Sequence, residues 1–136
     1  MFKINMINRK SKGTNAERNL IKLFHDHGWS ALRSAGSGSS KYPSPDVLAG
    51  NGFRRIALEC KTTKDNKKYL KNDEIEQLMI FSKNFGAEPW IALKFPAEQW
   101  YFFMIEDLKK TPNSYVGSLK DTKFKALTFN ELIENI

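Results

Sequence analysis

PDVLAGNGFRRIALECKTT, residues Pro45–Thr63, is the stretch whose reading decides the fold of this chain. Asp46–Gly50 is short and nearly all apolar, Asn51-Gly52 favours a tight hairpin turn, and Arg54–Thr63 returns as a second strand. Side chains alternate across a strand. Ile56 and Leu58 therefore share one face of Ile56–Lys61, while Glu59 and Lys61 share the other. Asp46 lies where a proline-rich loop enters the first strand, and the turn folds it back beside Glu59. The hairpin thus predicts two carboxylates and an ammonium at one place.

Working outward, TNAERNLIKLFHDHG carries helix signals, with Thr14 or Asn15 as N-cap and Gly28 as stop. Its apolar stripe is Ala16, Leu20, Ile21, Leu23 and Phe24, and Glu17 shares the Leu20, Ile21 and Phe24 face, pointing inward from the first turn. Residues 1–12 hold Lys3, Arg9, Lys10 and Lys12 without an acid and read as a flexible basic arm. Trp29–Ser34 looks like a short strand, and Gly36–Pro45 is a loop by its glycines, serines and prolines. Downstream, Asp73 caps a helix that ends at Gly86, strands are expected at Pro89–Phe95 and Trp100–Ile105, and a last helix runs from its Thr128 cap to Asn135. The pattern αβββαββα implies an α/β fold, a mixed central sheet flanked by helices, in one domain over residues 13–136.

Composition narrows the class. A length of 136 residues fits a single domain. No apolar run approaches the ~18 residues of a membrane span, and the N-terminus lacks a signal-peptide core. The single cysteine, Cys60, cannot close an internal disulfide and is too little for a zinc site, so a reducing cytoplasm is the expected home. The charge of +7 is uneven: residues 1–68 carry 14 Lys/Arg against 5 Asp/Glu, whereas residues 69–136 carry 8 against 10. Such asymmetry suggests a cationic face for nucleic acid. No membrane association and no organic cofactor are expected.

The acidic set fits a definite chemistry. Magnesium takes oxygen ligands, usually one or two carboxylates with waters and substrate phosphate. Asp46 and Glu59, with the Cys60 backbone carbonyl, can hold one such ion, and Glu17 can join directly or through water. The ion would activate a water and offset transition-state charge, while Lys61 orients that water or stabilises the developing charge. Taken singly, each residue has an ordinary explanation: an Asp after Pro is a common turn residue, Glu-x-Lys is common on solvated strands, and a first-turn Glu suits the helix dipole. The joint arrangement P-D-(x12)-E-x-K is what points to function.

Pro45-Asp46 and Glu59-Cys60-Lys61 resemble the PD-(D/E)xK nuclease pattern, and the surrounding words resemble the archaeal Holliday junction resolvases of the Hjc type. The words are KGTNAERNLIKLF (Lys12–Phe24), LRSAGSGSS (Leu32–Ser40), PDVLAGNG (Pro45–Gly52), IALECKTT (Ile56–Thr63) and FSKNFGAEPWIALKF (Phe81–Phe95). The resemblance implies a restriction-endonuclease-like core in a homodimer that resolves four-way DNA junctions with Mg2+, for which Mn2+ substitutes. It carries catalytic roles to Glu17, Asp46, Glu59 and Lys61, assigns the family's loop serine to Ser37, and matches Arg18 and Arg33 to basic residues used at the DNA. Cys60 stands where the family commonly has valine or methionine.

Further DNA contacts are expected from Lys12, from Ser37, Ser39 and Ser40 in the Gly-Ser loop, and from Lys64, Lys67, Lys68 and Lys71 after the Glu59 strand. In the helix Asp73–Phe85, Ile75, Leu78, Met79 and Phe85 can make one core stripe, which Phe81 widens. Phe81 and Phe85 fit an ordinary core as well as a two-fold contact. The resemblance implies the second, a dimer interface. Trp100–Ile105, apolar on both faces, fits a central strand or that same interface. His25 and His27, near a helix end, are not expected to be ligands. Two active sites in a dimer would make paired nicks in strands of like polarity, with the junction recognised by shape and phosphate contacts. The alternatives are a restriction or repair nuclease of the same superfamily acting on linear duplex, and a DNA-binding module without catalysis.

Overall fold

The computed structural model describes residues 2–34 and 41–134, with residues 2–12 as backbone alone. Helix α1 (Phe2–Asp26) sends Ala16, Leu20 and Phe24 into the core, the stripe its sequence implies. Gly28 at φ +83 lets the chain turn away after the last turn, a conformation that costs glycine no steric penalty. The helix starts at Phe2 and not at Thr14 or Asn15, so the expected flexible arm continues its backbone. Once a packed turn exists, each further residue adds a hydrogen bond, and Gly13 in the path costs only about 1 kcal/mol relative to alanine.

Strands β1 (Ser30–Arg33), β2 (Val47–Gly50), β3 (Arg55–Thr62), β5 (Glu88–Lys94) and β6 (Trp100–Phe103) form one sheet in the order β1-β2-β3-β5-β6. Only β3 and β5 pair in parallel. Between them the chain crosses over through β4 (Lys67–Lys71) and helix α2 (Asn72–Phe85). The turn joining β2 to β3 runs from Asn51 to Arg54: Asn51 N–H donates to the Arg54 carbonyl, and its side-chain oxygen accepts from the amides of Phe53 and Arg54. Gly52, at φ +95, supplies the left-handed residue this turn needs.

Alternation on the central strands divides the core in two. Ile56, Leu58, Cys60, Trp90 and Ala92 pack under α1 and a C-terminal helix, α4 (Phe129–Glu134). Ala57, Ile91 and Leu93 pack under α2. The second face is completed by a small sheet that sequence reading missed, β4-β8-β7, with β7 at Lys109–Lys110 and β8 at Ser114–Ser118. A four-residue helix, α3 (Thr122–Lys125), follows. Lys67–Lys71 reads as a charged run because only Leu70 is buried; its strand character comes from pairing with β8.

Two other expectations change. Lys71, not Asp73, holds the N-cap position of α2, and Glu74 Oε1 accepts its N–H at 3.1 Å. The buried stripe of α2 is Ile75, Leu78 and Ser82, whereas Met79 and Phe85 are half exposed. Strand β6 lies at the sheet edge, not at its centre, and its edge is closed by Leu127, which exchanges two backbone hydrogen bonds of 2.8 Å with Phe102. Thr128 caps α4 as expected, its hydroxyl accepting the Glu131 N–H at 3.2 Å. Among the described residues, no helix is long and apolar enough to cross a membrane.

The small sheet lies close on the large one. A methyl group on Gly117 of β8 would strike the Leu93 and Leu108 side chains, both buried. Gly117→Ala is therefore expected to cost roughly 1–3 kcal/mol, the usual range for overpacking. A urea unfolding midpoint equal to that of the unmodified chain would contradict this packing.

Candidate active site

The hairpin brings Asp46 and Glu59 together through backbone pairing. Asp46 N–H donates to the Leu58 carbonyl at 2.8 Å, extending the β2–β3 ladder by one residue. Asp46 Oδ2 accepts the Cys60 N–H at 2.8 Å, which aims the carboxylate at the β3 face that carries Glu59. Ser34 N–H reaches the Asp46 carbonyl at 2.8 Å and ties in β1. Arg33, the last residue of β1, places Nη1 3.5 Å from Glu17 Oε1. The four residues Glu17, Asp46, Glu59 and Lys61 thus meet from three elements, α1 and the two strands of the hairpin.

Their charges are under strain. Burial, the charge of Asp46 and a hydrogen bond with Asp46 push the Glu59 carboxyl up to about 9, despite the opposing ammonium of Lys61. Burial and Asp46 also raise Glu17, with Arg33 working against the shift. For Lys61, burial pulls the ammonium down, but Glu74, Glu59 and Asp46 outweigh it and the net shift is upward. The buried Glu59 carboxyl therefore favours its protonated form at neutral pH.

This donor set fits a hard divalent cation. A cation beside the adjacent Asp46 and Glu59 carboxyls would favour the charged form of Glu59 that burial and Asp46 disfavour, and such ions accept one or two protein carboxylates beside water and phosphate. Among the described residues no group of three His, Cys, Asp or Glu is placed to hold a metal ion, so the adjacent pair Asp46 and Glu59 is what the geometry offers such an ion. The Cys60 thiol is raised well above its usual value by burial and by the surrounding carboxylates. It stays protonated and offers no thiolate ligand.

Lys61 has a second partner that sequence reading missed. Its Nζ contacts Glu74 Oε2, from the first turn of α2, and lies 3.9 Å from Glu59 Oε1. Glu74, Glu59 and Lys61 line one cleft of ≈ 430 Å³ with Ser44, Lys68, Tyr69 and Lys71. A Glu at a helix start carries no signal of its own, because the helix dipole explains it. Only the β3–α2 packing reveals the contact.

The other predicted contacts are distributed unevenly. Arg18 is exposed on α1 beside Glu17, and Lys64 and Lys67 are exposed past the end of β3. Lys68 and Lys71 border the cleft. Ser37, Ser39 and Ser40 lie outside the described residues, as does the Lys12 side chain. Phe81 and Phe85 are on α2, away from the carboxylates, with rings stacked at 5.2 Å. His25 and His27 hold the α1 end through the Ala31 and Leu23 carbonyls.

Known proteins resemble this chain in sequence and in fold. The family described as archaeal Holliday junction resolvase (hjc) matches residues 8–136. The crossover junction endodeoxyribonuclease Hjc of Archaeoglobus fulgidus is 45% identical over 106 residues, 78% of this chain and 78% of that protein. The protein of the same name from Sulfolobus acidocaldarius is 30% identical over 133 residues, covering 96% and 92%. The solved structure of Archaeoglobus fulgidus Hjc, described as a Holliday junction resolvase, superimposes with a TM-score of 0.82 at 38% identity over 88% of this chain and 98% of that one. The fold is thus the restriction-endonuclease-like core that the sequence resemblance implied. This chain belongs to the archaeal Holliday junction resolvase (Hjc) family.

Proposed function

We infer that this chain is a structure-selective DNA endonuclease that resolves four-way junctions by metal-dependent phosphodiester hydrolysis. The observation that carries the catalytic assignment is the meeting of Asp46, Glu59 and Lys61 at the mouth of the β2–β3 hairpin, where burial and Asp46 push the Glu59 carboxyl up. Asp46 and Glu59 are assigned as ligands of a divalent ion, taken as Mg2+ with Mn2+ as its substitute, with the Cys60 backbone carbonyl beside them and Glu17 joining directly or through water. Bound there, the ion supplies Lewis-acid chemistry, activating water and offsetting charge on the phosphate. Lys61 aims its ammonium at the attacked phosphate. Water oxygen bonds to phosphorus while giving up a proton to solvent, the bridging P–O bond breaks, and the departing oxygen takes up a proton from solvent. Arg33, paired to Glu17, and Arg18 beside it would grip neighbouring phosphates. Lys12, Ser37, Ser39, Ser40, Lys64, Lys67 and Lys68 are assigned to the DNA backbone on either side.

The reading is tested with end-labelled four-way junction and linear duplex of the same sequence, each with Mg2+ or EDTA. Metal-dependent symmetric cuts confined to the junction support it. Equal cutting of the duplex demotes the chain to a general nuclease, and binding without cleavage under any metal leaves a DNA-binding module.

Symmetric cuts need two sites, and α2 offers the surface for a dimer. Met79, Ile80 and Phe85 are exposed at 50%, 44% and 49%, beside the partly buried Phe81. A two-fold contact would cover them. Phe85→Asp is expected to convert a dimer into a monomer in sedimentation velocity and to lose paired cutting, while the isolated fold keeps its circular dichroism. A monomeric unmodified chain would overturn the assignment.

A further inference from the structure

We propose that Glu74 is a positioning residue for strand cleavage, holding the Lys61 ammonium in the carboxylate cleft. The inference rests on the reading that Lys61 acts on the phosphate. Both oxygens of the Glu74 carboxylate are committed: Oε1 accepts the Lys71 N–H at 3.1 Å and Oε2 contacts Lys61 Nζ. The carboxylate orientation is therefore set by backbone at the start of α2, and the lysine takes its direction from it. The Lys61 and Glu74 side chains are only 27% and 24% exposed, so the pair is shielded from screening water. Glu59 does not do this work, because its Oε1 lies 3.9 Å from Nζ, beyond hydrogen-bond reach.

The need for a second carboxylate follows from charge. A lysine ammonium is a compact charge on a flexible four-carbon stem, with no planar fork to fix it. A divalent cation held by Asp46 and Glu59 would repel that ammonium and consume the negative charge that attracts it. Glu74, standing on α2 and not on the hairpin that carries Asp46 and Glu59, keeps the lysine in place without competing for the ion. Misplacement of a reacting group by even an ångström costs on the order of 10²-fold in rate.

The test compares the unmodified chain with Glu74→Gln, Lys61→Ala and the double variant. Glutamine keeps a carbonyl oxygen for the Lys71 N–H, so the helix start survives while the charge on Lys61 is lost. Glu74→Gln is expected to slow single-turnover junction cleavage by about 10- to 100-fold. Junction affinity, read by fluorescence anisotropy with Ca2+ replacing Mg2+, should stay within about twofold, since a positioning loss falls on the chemical step and not on binding. Added to Lys61→Ala, the Glu74 change should slow cleavage no further, the signature of two residues acting as a unit. NMR of the lysine ammonium groups should show a slowly exchanging Lys61 signal that Glu74→Gln abolishes. Cleavage by Glu74→Gln at the unmodified rate, beside an inactive Lys61→Ala, overturns this inference alone. Unimpaired cleavage by Lys61→Ala overturns the reading of Lys61 and this inference with it. Full additivity in the double variant overturns positioning in favour of a merely structural role.

Discussion

Asp46→Asn is expected to lower single-turnover cleavage of a four-way junction by roughly 10³-fold or more, because metal-assisted charge stabilisation supplies several kcal/mol to such reactions. The fold should survive. Asparagine keeps a side-chain oxygen for the Cys60 N–H, so the contact that aligns the loop with β3 remains. What disappears is half of the negative charge that a divalent ion would bind. Glu59 loses the neighbour whose charge and hydrogen bond help to raise it, so its carboxyl should ionise nearer its usual range. Junction affinity in the absence of metal should change little, since phosphate contacts come from the cationic surface. Residual Mg2+-dependent cleavage within tenfold of the unmodified chain would remove Asp46 from the catalytic set.

Glu59→Gln should be equally inactive yet more stable than the unmodified protein in metal-free buffer. The sign follows from proton linkage. Folded Glu59 titrates at about 9 against an ordinary glutamate value of 4.5, so between those values the folded chain holds a proton that the unfolded chain has released. Stability therefore falls as pH rises from about 4.5 to about 9. An amide in place of the protonated carboxyl removes this dependence and can still donate a hydrogen bond to Asp46. The gain at pH 7 should be of the order of 2 kcal/mol, visible as a higher unfolding midpoint that converges with the unmodified chain near pH 4. Adding Mg2+ should stabilise the unmodified protein and not the variant. Midpoints that coincide at pH 5 and pH 8 would show that Glu59 is ionised without metal, and would overturn the raised Glu59 carboxyl.

The site was legible to the extent that local rules placed it. Strand alternation put Glu59 and Lys61 on one face, the turn at Asn51-Gly52 folded Asp46 beside them, and the helical stripe of α1 turned Glu17 inward; the structure brings all four together. Glu74 was missed because its contact with Lys61 spans the β3–α2 crossover, and nothing in a first-turn glutamate announces a partner thirteen residues upstream. The stripe of α2 was drawn one position too wide for a similar reason. Met79 and Phe85 fit a helical period, but of this helix only Ile75, Leu78 and Ser82 are buried, and which part of a periodic face meets the sheet is set by tertiary packing.

The sequence by itself determined the hairpin, the helices that flank it and the acidic constellation, because each rests on period-2 or period-3.6 patterning or on a short turn, and its motifs carried the resemblance to the family. Only the tertiary structure decided which strands lie at the edge, that Lys67–Lys71 is a strand at all, and that Lys61 answers to Glu74. Those outcomes depend on long-range pairing: a charged segment becomes a strand when β8 supplies its hydrogen bonds, and a lysine acquires a direction when a helix packs a carboxylate against it.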